Sequence, residues 1–150
     1  MEKEIIAIVK QMLDKTSFNY EEIEFEKNTD YLYLNIKSEA EGKLLIGKDA
    51  STIKAFNHLL KLILFKKELD NLPVSLDVNS YRKNQEDNIK KIVKVAAEKV
   101  LETAKSCALS PMSGYFRRIA HLYVAENFKD LETESSGDEY MRHVVIKKKL

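Results

Sequence analysis

The sequence predicts an α+β protein of two small domains, residues 1–80 and residues 81–150. Three observations carry that prediction. Apolar residues pass from helical spacing to strict alternation within the first half, a glycine-marked loop then opens a strongly apolar helical run, and the second half starts afresh with a long amphipathic helix.

The elements follow in order. Ile5, Ile6, Val9, Met12 and Leu13 recur at helical spacing and predict a first helix. Glu22-Ile23-Glu24-Phe25-Glu26 and Tyr31-Leu32-Tyr33-Leu34-Asn35-Ile36 alternate as two half-buried strands, joined by the polar turn Lys27-Asn28-Thr29-Asp30. At Leu45-Ile46-Gly47-Lys48-Asp49-Ala50-Ser51-Thr52-Ile53 a glycine turn feeds a helix start, where unpaired N–H groups and the positive end of the helix dipole favour an anion. Lys48 adds a mobile positive charge. Ile53 to Phe65 is apolar almost all round, which predicts a helix buried against a sheet, with His58 in its core or at its rim. Val74, Leu76 and Val78 alternate with Ser75, Asp77 and Asn79 as a third strand, and residues 79–84 leave only a short joint to the next helix. So short a joint would hold the sites of two modules at high effective concentration for one ligand that reaches both.

In the second half, Ile89, Ile92, Val93, Ala96, Ala97, Val100, Leu101 and Ala104 form one apolar stripe, with Lys90, Lys91, Lys94, Glu98 and Glu102 on the other face. Ser110-Pro111 predicts the next helix start, Ser110 as N-cap and Pro111 at the first helical position. On that helix Arg117 and His121 stand four residues apart and so share a face. A guanidinium offers a planar fork to phosphate, and an imidazole can stack on a base or donate to a phosphate oxygen. Alone, Arg-x-x-x-His is a weak motif.

Composition excludes several function classes. With 150 residues, 44% hydrophobic and 33% charged, the chain is globular rather than disordered. Met1-Glu2-Lys3-Glu4 lacks the cationic start of a signal peptide, and the apolar run from Leu59 to Phe65 is too short to span a bilayer. The single cysteine, Cys107, is expected to serve packing and fits a reducing cytoplasm. Cys107, His58, His121 and His143 are scattered, with neither zinc nor catalytic spacing, so no metal, cofactor, small-molecule substrate or catalysis is expected. Net charge is +1, unevenly spread: residues 1–80 hold 11 Lys/Arg against 14 Asp/Glu, residues 81–150 hold 14 against 10. An electrostatic footprint for nucleic acid therefore falls mainly on the second half, with Lys147-Lys148-Lys149 as a flexible basic end.

Ile46-Gly47-Lys48-Asp49-Ala50-Ser51-Thr52-Ile53 resembles the signature of a KH domain, whose Gly-x-x-Gly loop clamps about four nucleotides of a single strand. The order helix, strand, strand, loop-helix, strand resembles the bacterial, type II arrangement of that domain. Ser110-Pro111-Met112, Arg117-Arg118-Ile119-Ala120-His121-Leu122, Glu132-Thr133-Glu134-Ser135-Ser136-Gly137 and Arg142-His143-Val144-Val145-Ile146 together resemble the Arg-three-His domain of the Jag family, the SpoIIIJ-associated proteins.

The resemblance covers nearly the whole chain. It implies a type II KH domain followed by an Arg-three-His α/β domain, and binding of single-stranded RNA, or of single-stranded DNA, in the bacterial cytoplasm, with links to cell shape, division or sporulation. It carries the clamp role to Gly47, Lys48, Asp49 and Ala50, the named pair to Arg117 and His121, and a surrounding basic surface to Arg118, Arg142 and His143. Two residues depart from the family. Ala50 stands in place of the second glycine, and Asp49 puts a carboxylate where a second basic residue is usual. Alanine suits a helical backbone there and costs about 1 kcal/mol or more at positive φ. Asp49 and the acidic first half leave a rival function open, a protein-pairing scaffold whose partner is another small KH protein or a second copy.

Overall fold

The computed structural model describes residues 1–150, and the chain divides into two compact units, Met1–Arg82 and Lys83–Leu150. In the first, α1 (Glu2–Lys15) buries Ile5, Ile8, Val9, Met12 and Leu13. β1 (Glu22–Lys27) pairs antiparallel with β2 (Leu32–Lys37), Ile23 opposite Ile36 and Phe25 opposite Leu34. β2 in turn pairs parallel with β3 (Val74–Val78), Leu34 opposite Leu76 and Ile36 opposite Val78. A parallel pair cannot be closed by a tight turn and needs a crossover. Here α2 (Gly42–Ile46) and α3 (Ser51–Lys66) supply it. Leu32, Leu34, Ile36, Leu76 and Val78 then meet Ile53, Phe56, Leu60 and Leu64 of α3 and the stripe of α1 in one core.

Two expectations for this unit are corrected. α3 is not buried all round, since Leu59, Leu62 and Phe65 point outward, Phe65 with 72% of its surface exposed. A helix lying on one face of a three-stranded sheet can bury only the stripe turned toward it. Asp77, in an alternation that suggests an outward polar residue, is 1% exposed. Its Oδ2 accepts the Tyr33 hydroxyl at 2.8 Å, its Oδ1 accepts the Val78 N–H at 2.8 Å, and both oxygens accept the Arg82 N–H at 3.1 Å. Beside it Asn35 Oδ1 accepts the Ser80 N–H at 2.8 Å. This polar face of the sheet therefore holds the start of α4 (Tyr81–Thr103), whose first N–H groups would otherwise lack acceptors. Burial first, then the bond to Asp77, pushes the Tyr33 phenol well above its ordinary pKa. The joint is shorter than the spacing suggests, Asn79 and Ser80 alone, with φ of 49° and 55°.

In the second unit, Val93, Ala96, Ala97 and Val100 of α4 share a core with Leu109, Ala120, Val124, Leu131, Val144 and Ile146. Ile92 and Leu101, expected in that stripe, are exposed. The sheet has the order β4 (Cys107–Ala108), β6 (His143–Lys148), β5 (Leu131–Ser136), antiparallel throughout. Cys107 is half-buried against the core. The next helix starts later than Ser110-Pro111 suggests: α5 spans Gly114–Asn127 with Ser113 at its N-cap. Residues before it run extended along β6, where Leu109 N–H donates to Val144 O at 2.8 Å and Met112 N–H to Arg142 O at 3.2 Å. Pro111, which has no N–H, sits between two residues that do donate.

Candidate nucleic-acid interface

The loop of the first unit is built on left-handed backbone. Gly47 has φ 75°, and a Cβ there would lie 2.3 Å from Thr52 Oγ1 and 2.8 Å from Thr52 N, so no other residue fits without displacing the first turn of α3. A single 3-10 turn, Lys48–Ala50, follows, with Asp49 at φ 53° and Ala50 at φ 60°. Ala50 thus sits in the conformation that is costly for alanine, on the order of 1–2 kcal/mol. It occupies the N-cap of α3 and offers no side-chain cap, so the helix start keeps donors for an anion. Lys48 and Asp49 lie on this turn, and both are exposed. Lys54 Nζ reaches back to the Asp49 carbonyl at 3.2 Å and adds a second cation that the motif did not reveal.

A cavity of about 420 Å³ continues from Lys54 along α3, lined by His58 and Lys61 of that helix and by Tyr31, Ser75 and Arg82. Lys54, His58 and Lys61 stand at i, i+4 and i+7, one helical stripe that was legible but masked by the apolar residues between them. His58 is accordingly an exposed rim residue. Asn57 fastens α3 to the sheet: its Oδ1 accepts the Leu76 N–H and its Nδ2 donates to the Leu76 carbonyl, both at 2.8 Å.

In the second unit α5 and β5 form a helix–strand return. Leu131 N–H donates to Phe128 O at 3.1 Å, so β5 runs back along α5 and its far end, Ser136, lies toward the helix N-terminus. His121 is clasped between the two. Its Nδ1 lies 2.6 Å from Thr133 Oγ1 and its Nε2 2.9 Å from Ser135 Oγ, two hydroxyls on one face of β5 because strand side chains alternate. Arg117, one turn nearer the N-terminus, is half-buried; its Nε is enclosed without an acceptor, and its Nη2 lies over Gly114, 3.3 Å from where a Cβ would be. The guanidinium folds back onto the positive end of α5 and makes no ion pair.

Residues 87–148 match the Arg-three-His domain. The chain is 31% identical over 147 residues to the RNA-binding protein KhpB of Clostridium symbiosum, an overlap of 97% of this chain and 65% of that protein. Its identity to the RNA-binding protein KhpB of Lactiplantibacillus plantarum is 30% over 142 residues, 95% of this chain and 42% of the relative. For the protein of the same name in Bacillus subtilis the figures are 32% over 107 residues, 71% and 51%. The chain spans less than two thirds of the length of each relative.

Within the Arg-three-His unit, the Arg117–His121 face is asymmetric. Both ring nitrogens of His121 are taken by hydroxyls, so the histidine fixes the helix against β5 rather than presenting an edge to a ligand. Partial burial, and then the charge of Arg117, hold its pKa below the ordinary value of 6.5. Arg118 and Arg142 lie at the surface, and Arg142 Nη1 donates to Gly137 O at 3.1 Å. His143 Nδ1 lies 2.9 Å from Met141 O, and His143 pairs with Ser136 in the sheet. Since Met112 donates to Arg142 O, these basic residues and the N-terminal end of α5 share one end of the unit. The basic tail is a correction. Lys147 and Lys148 belong to β6, Lys147 pairs with Glu134 at 3.1 Å and Glu132 at 3.6 Å, and Lys149 Nζ donates to Lys129 O at 2.6 Å.

A pH dependence follows from His121. Its folded pKa is depressed, so the unfolded chain binds more protons as pH falls through the ordinary histidine range, and stability is lost there. Between about pH 7.5 and about pH 5.5 the urea midpoint of the second unit should fall more in the unaltered chain than in His121→Asn. Parallel declines in the two proteins would show that His121 does not titrate differently on folding.

Proposed function

We propose that this chain is a Jag-family protein that binds single-stranded RNA, with a type II KH domain over residues 1–80 and an Arg-three-His domain over residues 81–150. The observation that carries this reading is the Arg-three-His match over residues 87–148, on a unit whose arginines gather at one end of α5. The relatives named RNA-binding proteins support it. So does the parallel β2–β3 pair with the Gly47 loop in its crossover.

In this reading the strand backbone meets the N–H groups around Gly47, Lys48, Asp49 and Ala50, and its bases pass Lys54, His58 and Lys61. In the second unit Arg117, Arg118, Arg142 and His143 meet phosphates, while His121 holds α5 in place. The role is binding rather than catalysis, in a bacterial cytoplasm. Single-stranded DNA shares the phosphate contacts and lacks only those to the 2′-hydroxyl.

Fluorescence anisotropy with a labelled single-stranded RNA tests the proposal, with single-stranded DNA and duplex RNA as competitors. Saturable binding that duplex fails to compete is expected; no binding at moderate salt defeats the reading. Asp49 opposes a phosphate at the loop, so Asp49→Arg should tighten binding and steepen the slope of log K against log salt by about 0.7, one phosphate contact on a single strand. Should neither change, the loop does not touch the backbone. The outward Leu59, Leu62 and Phe65 of α3 then favour a protein, another small KH protein or a second copy, as partner of the first unit.

A further inference from the structure

The turn between β5 and β6 holds a feature that the arginines and His121 leave unexplained. Gly137, at φ 88°, packs so closely on Met141 O that a Cβ would lie 2.8 Å from it, and Glu139 is left-handed at φ 44°. The turn is tied by its own backbone carbonyls: Met141 N–H donates to Asp138 O at 2.9 Å, Arg142 N–H to Glu139 O at 3.3 Å and Arg142 Nη1 to Gly137 O at 3.1 Å. Met112 N–H and His143 Nδ1 add bonds to Arg142 O and Met141 O. What this pinned turn presents outward is Tyr140, 92% exposed, and Met141, 68% exposed. The bonds hold the backbone of the turn in place, and with it the point from which Tyr140 projects.

We propose that Tyr140 is a base-stacking platform of the second unit, taking one unpaired nucleobase of the strand whose phosphates Arg142 and Arg117 hold. The inference rests on the RNA-binding reading above and deepens it. Single-strand readers combine cationic contacts to the backbone with aromatic faces for bases. Asp138 and Glu139, exposed and just before Tyr140 in the chain, repel phosphate. They set the direction of the strand: backbone on the Arg142 side, base toward Tyr140. Met141 supplies a polarizable edge beside the stack.

The test is anisotropy of the full chain with labelled single-stranded RNA at several salt concentrations. Tyr140→Ala should weaken binding by about 5- to 150-fold, the range of one lost base–aromatic stack, and leave the salt slope unchanged because no phosphate contact is lost. Tyr140→Phe should restore affinity, and Tyr140→Trp should exceed it. A strand abasic throughout should bind the unaltered and Tyr140→Ala chains equally. So exposed a side chain is dispensable for folding, which circular dichroism of the variants confirms or denies. If the unaltered chain binds RNA and Tyr140→Ala binds as well, the platform is disproved and the function stands. Failure of phenylalanine to rescue, or a shallower salt slope in the alanine variant, shows a polar role and overturns the stack. If the unaltered chain binds no RNA, both proposals fall.

Discussion

Replacing Asp77 by alanine should destabilise the first unit by on the order of 3 kcal/mol, because buried donors left without an acceptor cost about 1–3 kcal/mol each. The Tyr33 hydroxyl, the Val78 N–H and the Arg82 N–H all end on this one carboxylate. Relief of the carboxylate's own burial offsets part of the loss, and the missing helix cap adds to it. Tyr33→Phe, which removes one donor rather than the acceptor of several, should cost only about 1 kcal/mol. Urea unfolding followed by circular dichroism measures both, with hydrogen exchange assigning the transition to residues 1–82. A loss in Asp77→Ala no larger than in Tyr33→Phe would mean that solvent reaches these donors once the carboxylate is gone.

For Arg117→Ala the expected result is a loss of single-strand affinity of about 1–3 kcal/mol, with the salt slope falling by about 0.7. Its guanidinium lies over the start of α5 with no carboxylate to neutralise it, so the charge it brings to a phosphate is undiminished. Arg117→Lys should recover only part of the loss, since an ammonium keeps the charge and loses the fork. His121→Ala should behave differently. It leaves Thr133 and Ser135 without their partner and so lowers the stability of the unit, while the salt slope holds. If the two alanine variants shift the salt slope alike, His121 touches phosphate and the division of labour between them is wrong.

The strands were legible because one face of each packs on helices: Ile23, Phe25, Leu34, Ile36, Leu76 and Val78 alternate as the pleat demands. The Gly47 loop and the Arg117–His121 spacing were legible too, since both are short local patterns. What escaped lies beyond the reach of local pattern. Asp77 looked like an outward residue because nothing near it in sequence says that the next helix begins over its face of the sheet. His121 looked available because its partners, Thr133 and Ser135, arrive from a later strand. The start of α5 is not legible locally because a proline after serine suits both a helix start and an extended edge, and only the position of β6 decides between them. The exposure of Leu59, Leu62 and Phe65 is not legible because apolar character marks what a side chain could cover, and the unit has a single sheet for them to meet.

Asn57 has a consequence beyond fastening α3. β3 is an edge strand, and a bare edge of five residues is a template onto which another molecule's strand can add. At its middle residue, Leu76, the donor and the acceptor are both already taken by the Asn57 amide. An incoming strand would have to break two short bonds and move a helix side chain before its ladder could pass that point. One side-chain amide thus interrupts the edge against intermolecular sheet growth and domain swapping, and it does so without placing a charge or a proline on the strand itself.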